Sequence, residues 1–369
     1  AAAVARTPKD AAAWLEYYKA LRYAAKTCAP GDSASRQPYR TEIARALAQM
    51  EQHIPNTFER HYTRWWDGGN DPALFHHLEA AYRLRPDDPY IASDLLTYYE
   101  LEYNREQVAY FAQKWYETHR MAPALLEYNY NVLASLAPNA ILITGGDNDT
   151  YPVWLLQYAR KVRPDVLLLN LSLMTAPQYY QKVLADTRLV EDQAAIAPAR
   201  IAELGYPGWV QALIQGLGRN RQNRPVYCAL TLSPQLVDGL KDKLYLTGLA
   251  HQYSETRIDN IARLKSNWKR FRLDYLDLQF YDEPWAIWRG NLQRMQLNYL
   301  PAIMLLYEHH QLANETDRAG ELMRLALKLG QDAAALEQVA AYLSKSPEAE
   351  PGTPDQHTLY VFPNPAREE

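Results

Sequence analysis

Ala140-Ile141-Leu142-Ile143-Thr144-Gly145-Gly146-Asp147-Asn148-Asp149-Thr150 is the stretch whose reading decides the fold. Its first five residues form a short uncharged run, and two glycines end it. Runs that are apolar on both faces suit strands buried from both sides. From Tyr151 to Arg163, Trp154, Leu155, Tyr158 and Val162 fall on one face of an amphipathic helix. A second uninterrupted run follows, Asp165-Val166-Leu167-Leu168-Leu169-Asn170-Leu171. Strand, helix and strand in that order predict a βαβ unit with parallel strands. A third strand is expected at Pro225–Leu230, with helices around Ala176–Leu184 and Trp209–Leu217 in the crossover. Leu244–Tyr253 is expected to add an edge strand or a short helix.

Upstream the pattern is helical. Trp14, Tyr17, Tyr18, Leu21 and Ala25 are helically spaced behind the candidate N-cap Asp10, and Ala29–Pro38 breaks that helix. Trp65-Trp66-Asp67-Gly68-Gly69-Asn70 reads as a turn between helices, with Asp71-Pro72 starting the next. Leu84-Arg85-Pro86-Asp87-Asp88-Pro89 closes one helix and opens another, and Pro89 recurs as Pro123, 34 residues on. That period, with two helices inside it, is the tetratricopeptide pattern, in which helix pairs stack because neither can bury its face alone. Downstream of about Asn260 helices return. Leu292–Gln311, Glu315–Leu329 and Asp332–Leu343 predict a closing repeat and a capping helix. The expected fold is therefore mainly α with an α/β insert: tetratricopeptide-like hairpins flanking a small parallel-sheet, Rossmann-like domain. Its boundaries are 1–138 helical, 139–256 α/β, 257–345 helical, and a Pro-rich tail at 346–369 in which His357–Phe362 packs back as a strand or stays mobile.

Composition narrows the function classes. Across 369 residues the 48% hydrophobic content supports a packed interior, and a net charge of −4 gives no global reason to expect nucleic acid. The 28 Tyr and 9 Trp outweigh 6 Phe, which suits either the packing seams of helical hairpins or half-wet grooves. Cys28 and Cys228 are the only cysteines, so free thiols or a single bridge are the choices. No run approaches the length of a membrane span. The basic stretch Arg263, Lys265, Lys269, Arg270 and Arg272 is read as a solvated helix face.

The loop after the first strand is the one constellation with chemical potential. Ligands collect at the carboxyl ends of strands in open α/β sheets. Asp147, Asn148 and Asp149 set two carboxylates and an amide close together, which disfavours phosphate and favours a hard divalent cation or a cationic group. Asp147 and Asp149 are the candidate metal ligands. Asp149 or Thr150 alternatively caps the helix begun by Pro152. Asn170 and Ser172 stand at the end of the second strand, and Thr231 and Ser233 after the third. The pairs His76-His77 and His309-His310 lack the spacing of a helical metal site. Asp282-Glu283 reads as a loop or helix start. No Walker loop, GxSxG, HExxH or GxGxxG is present.

The blocks Gly146-Asp147-Asn148-Asp149-Thr150-Tyr151-Pro152-Val153-Trp154, Val162-Arg163-Pro164-Asp165-Val166 and Asn170-Leu171-Ser172-Leu173 resemble the soluble region of a bacterial family of protein O-mannosyltransferase-like membrane proteins. The same block resembles one in tetratricopeptide envelope proteins of Bacteroidota type, and Trp14-Leu15-Glu16-Tyr17-Tyr18-Lys19-Ala20 looks like their start. Pro225-Val226-Tyr227, Gly248-Leu249-Ala250 and Asn298-Tyr299 continue the pattern in order. The membrane family's transmembrane helices have no counterpart here, so the resemblance implies no transferase activity. It implies an exported, periplasmic or envelope-associated setting with the α/β block as an accessory or recognition domain. The expectation is a non-catalytic interaction or assembly component of an envelope complex, with a protein partner and no required cofactor. The alternative is an enzyme or a ligand- or divalent-cation-binding protein using the strand-end loop.

Overall fold

The computed structural model describes residues 2–29, 32–69, 71–277 and 289–344. The expected tail, 346–369, and Asp282-Glu283 lie outside them. Two compact units divide between Tyr99 and Glu100. The boundaries expected near 138 and 256 mark changes of secondary structure inside the second unit.

The first unit holds α1 (Ala2–Arg6), α2 (Ala11–Thr27), α3 (Ser33–His53), α4 (Phe58–Asp67), α5 (Phe75–Leu84) and most of α6 (Pro89–Leu101). The helix starts obey local rules. Asp10, Asp32 and Thr57 each cap with a side-chain oxygen on a first-turn amide. Helix α2 pairs with α3 and α4 with α5. Trp14, Met50 and Ile54 close the first seam. Arg22 lies over the Trp66 ring and donates to the Trp66 carbonyl. Among the largest fully buried side chains of the chain as a whole are Trp14, Trp65, Trp209, Tyr18, Tyr128, Tyr179, Tyr227 and Tyr299.

The second unit opens with α7 (Arg105–Glu117) and α8 (Pro123–Ser135), then the α/β part: β1 (Ile141–Thr144), α9 (Tyr151–Arg160), β2 (Leu167–Asn170), α10 (Leu171–Met174), α11 (Pro177–Thr187), α12 (Ile201–Gly218), β3 (Val226–Ala229), α13 (Pro234–Val237), β4 (Leu244–Leu246) and β5 (Ala250–Tyr253). Helices α14 (Asn260–Trp268), α15 (Asp274–Asp277), α16 (Arg289–Gln296), α17 (Leu300–Leu312), α18 (Thr316–Asp332) and α19 (Leu336–Leu343) follow. Among the described residues the chain is thus mainly helical, with one small five-stranded sheet in the second unit. Among the described residues, no helix is long and apolar enough to cross a membrane.

The sheet corrects one expectation. Its order is β2-β1-β3-β5-β4, and β1 runs parallel to both β2 and β3, as the βαβ reading requires. The rest is antiparallel: β5 pairs with β3, and β4 lies outside it. The sheet is mixed, not parallel. Leu244–Tyr253 is a hairpin rather than one strand or a helix, because Thr247-Gly248-Leu249 turns the chain back on itself. That turn is held from outside the sheet. Leu249 N donates to Ser135 Oγ at 3.1 Å, and Asn267 Nδ2 donates to the Thr247 carbonyl at 2.6 Å. A Cβ at residue 248 would collide with Ser135, so glycine is required there.

Ile141, Ile143, Leu169, Val226 and Cys228 pack with Trp209, Leu213 and Val183 in one buried cluster, which places α11 and α12 over one face. The alternate residues Leu142, Leu168 and Tyr227 are buried too, so the strands are covered on both sides. Tyr227 OH accepts from Ala137 N and donates to Gln252. Both cysteines are free, and burial pushes the Cys228 thiol up to about 12. Of the basic stretch, Arg263, Lys269, Arg270 and Arg272 are exposed and Lys265 is half-buried; Lys265 meets His309, Arg263 donates to Gln252, and Arg270 to the Ala134 carbonyl.

Candidate functional site

The carboxyl ends of β1, β2 and β3 meet around Gly145–Thr150, as a parallel arrangement demands. Asp149 is 3% exposed, and its carboxylate folds back onto its own loop. Oδ1 accepts from Gly146 N at 2.9 Å and Oδ2 from Gly145 N at 3.1 Å. The Thr231 hydroxyl, beyond β3, donates to Oδ2 as well. Thr150 Oγ1 shares a 2.8 Å bond with Thr144 Oγ1, on the last residue of β1, and accepts from Asn170 Nδ2 at 2.9 Å. One polar network therefore laces three strand ends together.

Two expectations change here. Neither Asp149 nor Thr150 caps α9: Thr150 occupies the N-cap position but makes no side-chain cap bond, and Pro152 alone fits the helix start. Asp149 faces inward because two adjacent glycine amides converge where its carboxylate sits, a pull stronger than one cap bond. Asp147 is exposed, and its carbonyl takes the Thr150 and Tyr151 amides. Asn148 is half-buried and its carbonyl accepts from Asn129 Nδ2 at 2.9 Å. The two carboxylates are thus unlike in burial, and Asp149 is already occupied by protein donors. Among the described residues, no group of three His, Cys, Asp or Glu side chains is placed to hold a metal ion.

Asn170 has a double duty. Besides reaching Thr150, its Oδ1 accepts from Leu173 N at 3.1 Å and caps α10. Ser172 lies exposed on α10 and does not join the network; its carbonyl takes the Thr175 amide and hydroxyl. Ser233 begins α13 and bonds Gln235. Replacing Asn170 by Ala removes one cap and the Thr150 contact, and is expected to cost about 1–2 kcal/mol. Urea titration of the single variant checks it, and no change in midpoint would disprove the double role.

Burial raises the Asp149 pKa, against the bonds from Thr231, Gly145 and Gly146, which lower it. Beside it on α8, Tyr128 OH and Asn129 Oδ1 are buried with no protein partner among the described residues. Among the described residues no cationic side chain bonds Asp149, and the carboxylate is held by neutral dipoles.

The opposite edge of the same strands carries a second constellation, which its local sequence does not announce. Arg163 stands in the left-handed region at φ 47°. Its Nη1 donates to the carbonyls of Leu133 and Leu136 at 2.9 and 2.7 Å, and Nη2 to Ala137 O at 2.7 Å. Nε and Nη2 also clasp Asp165 at 2.8 Å each, and Asp165 accepts from Asn139 N at 2.7 Å. Arg163 thus ties the C-terminal end of α8 to the entry of β2. Its hydrogen bond holds the Asp165 carboxyl down at about 2, against some burial. Within the second unit, Glu100 is 1% exposed and receives both Arg105 and Tyr179 OH.

In the first unit, His77 lies 3.0 Å from His61 and 3.1 Å from Arg60, nitrogen to nitrogen. Burial and the Arg60 charge hold His77 down at about 4. With a guanidinium inside the cluster, this is a packing contact for a neutral ring.

Residues 125–198 match the family described as TMEM260-associated domain 2. That segment runs from α8 to just beyond α11 and contains both edge constellations except Thr231. No curated protein and no solved structure matches the chain.

Proposed function

We propose that this chain is a non-catalytic interaction or assembly component of a bacterial cell-envelope complex. The observation that carries the reading is the closure of the strand-end loop. The one carboxylate placed for chemistry is buried and already accepts from two backbone amides and a hydroxyl. A group so occupied serves structure first. The family match at 125–198 overlaps every residue of the central block that resembles the O-mannosyltransferase-like membrane proteins and the Bacteroidota-type envelope proteins. In this reading the paired helices of residues 1–138, with the repeat from Pro89 to Pro123, and the closing repeat at 257–345 are tetratricopeptide-like, and β2-β1-β3 with α9, α11 and α12 form a Rossmann-like half closed by an antiparallel hairpin. The setting is exported, periplasmic or envelope-bound.

The first unit offers a partner an apolar handle. Leu84 and Tyr90 flank one turn and are 49% and 54% exposed. Two exposed apolar side chains flanking one turn suit a protein contact. Affinity capture from a native envelope fraction should recover a stoichiometric partner, and the double substitution Leu84→Ser, Tyr90→Ser should weaken it several-fold. Recovery of this chain alone would sink the assembly reading.

A further inference from the structure

A cleft of about 440 Å³ opens where the C-terminal ends of α7 and α9 meet the N-terminal end of α8. It lies away from the strand-end loop, and no residue of Gly145–Thr150 lines it. Arg160, on the last residue of α9, lies with its guanidinium 5.6 Å from the Tyr116 ring centroid. Arg272 stacks 3.7 Å from the Tyr130 centroid. Such stacking fixes a long side chain without consuming its N–H fork. Among the described residues neither guanidinium makes a hydrogen bond or ion pair.

Neither acid of the cleft makes an ion pair with these arginines among the described residues, although the Arg272 charge acts on Glu127. Glu127 is buried and turned onto the backbone, accepting from Tyr275 N at 2.9 Å. Asp274 is exposed at the rim. The first turn of α8 enters the same wall through Pro123, and its N-cap residue Ala122 has no side-chain oxygen to quiet the helix end. The positive end of a helix and two stacked arginines therefore converge beside a wall of Leu126, Leu156 and Tyr275. We propose that this cleft binds a small ligand carrying a single oxyanion, phosphate or carboxylate, on a ring or apolar body. Arg160 and Arg272 take the oxyanion in forked contacts, and the tyrosines and leucines take the body. The two carboxylates repel polyanions, which limits the ligand to one anionic group.

Calorimetric titration of the full chain with phenyl phosphate, benzoate, inorganic phosphate and phenol tests this. Phenyl phosphate or benzoate should bind saturably at one site, more tightly than inorganic phosphate or phenol. The tighter of the two identifies which oxyanion the cleft takes. Arg160→Gln and Arg272→Gln, both altering exposed side chains, should each weaken binding tenfold or more with an unchanged circular dichroism spectrum. Absence of saturation with both phenyl phosphate and benzoate, equal affinity for phenol, or affinity indifferent to both substitutions would overturn the proposal. None of these results bears on the assembly reading, which uses a different surface.

Discussion

Asp149→Ala is expected to lower the unfolding free energy by about 2–4 kcal/mol, the largest effect of any substitution in the strand-end loop. The alanine strands the Gly145 and Gly146 amides, which the loop geometry points inward, and removes the Asp149 carboxylate from the Thr231 hydroxyl. Thr231 is half-buried and can turn to water, so the amides carry most of the cost. Asn at 149 should cost less, since one carboxamide oxygen still serves one glycine, while its NH₂ faces the other donor. The pH dependence has a definite sign. Burial raises the folded pKa above the unfolded value of about 3.9. The folded state then binds the proton more tightly, and stability from this group is greatest below that unfolded value. It declines as pH rises through the elevated folded pKa. The wild-type stability curve should therefore fall relative to Asp149→Asn from about pH 4 upward. Parallel curves, or an alanine variant within about 0.5 kcal/mol of wild type, would show that the network does not bind the strand ends together.

Arg163→Ala should cost about 2–4 kcal/mol at neutral pH, because one guanidinium serves three carbonyls and a carboxylate. The carbonyls of Leu133 and Leu136 end α8 with no other side-chain donor in the described network, and Ala137 O lies just beyond. Lysine cannot reproduce the fork, so Arg163→Lys should recover less than half the loss. The acid limb supplies an independent readout. Asp165 is held at about 2, so its stabilising contribution is fully present above the unfolded value near 4 and disappears as pH falls through about 2. Without Arg163 its pKa returns towards the ordinary value, and the acid transition seen by circular dichroism should move up. An alanine variant with an unshifted acid limb would mean that Arg163 and Asp165 act separately.

Much of the α/β segment was legible in the chain. Ile141–Thr144 and Leu167–Asn170 announce themselves, as does Val226–Ala229, because parallel strands covered on both faces need uninterrupted apolar runs. The helix between them follows from the spacing of Trp154, Leu155 and Tyr158. The hairpin was not legible. β4 is three residues long, and Leu244–Tyr253 reads as one short element, whereas in the fold Gly248 turns it at a close approach to Ser135, a residue more than a hundred positions earlier. Edge pairing depends on that distant contact.

The site was half legible. Gly145-Gly146 before two acids marks a turn at a strand end, and that placement follows from local chemistry. Which way Asp149 faces does not, since capping α9 and folding back onto Gly145 and Gly146 are equally open to its side chain. Thr231, 82 positions away, tips the balance, and only strand order brings it there. Arg163 is hidden for the same reason: its partners are backbone carbonyls, which carry no residue-type signature.

By itself, then, the amino-acid sequence determined the helical character of most of the chain, the parallel pairing of β1 with its neighbours, and the position of the glycine turn. Those follow from periodicity and backbone preference, which act within a few residues. The tertiary structure alone decided that the sheet is mixed, that Asp149 closes the strand ends, that Arg163 clamps the opposite edge, and that Arg160 and Arg272 converge on one cleft. Each depends on groups far apart in the chain, whose electrostatic and steric demands meet only after the elements have packed.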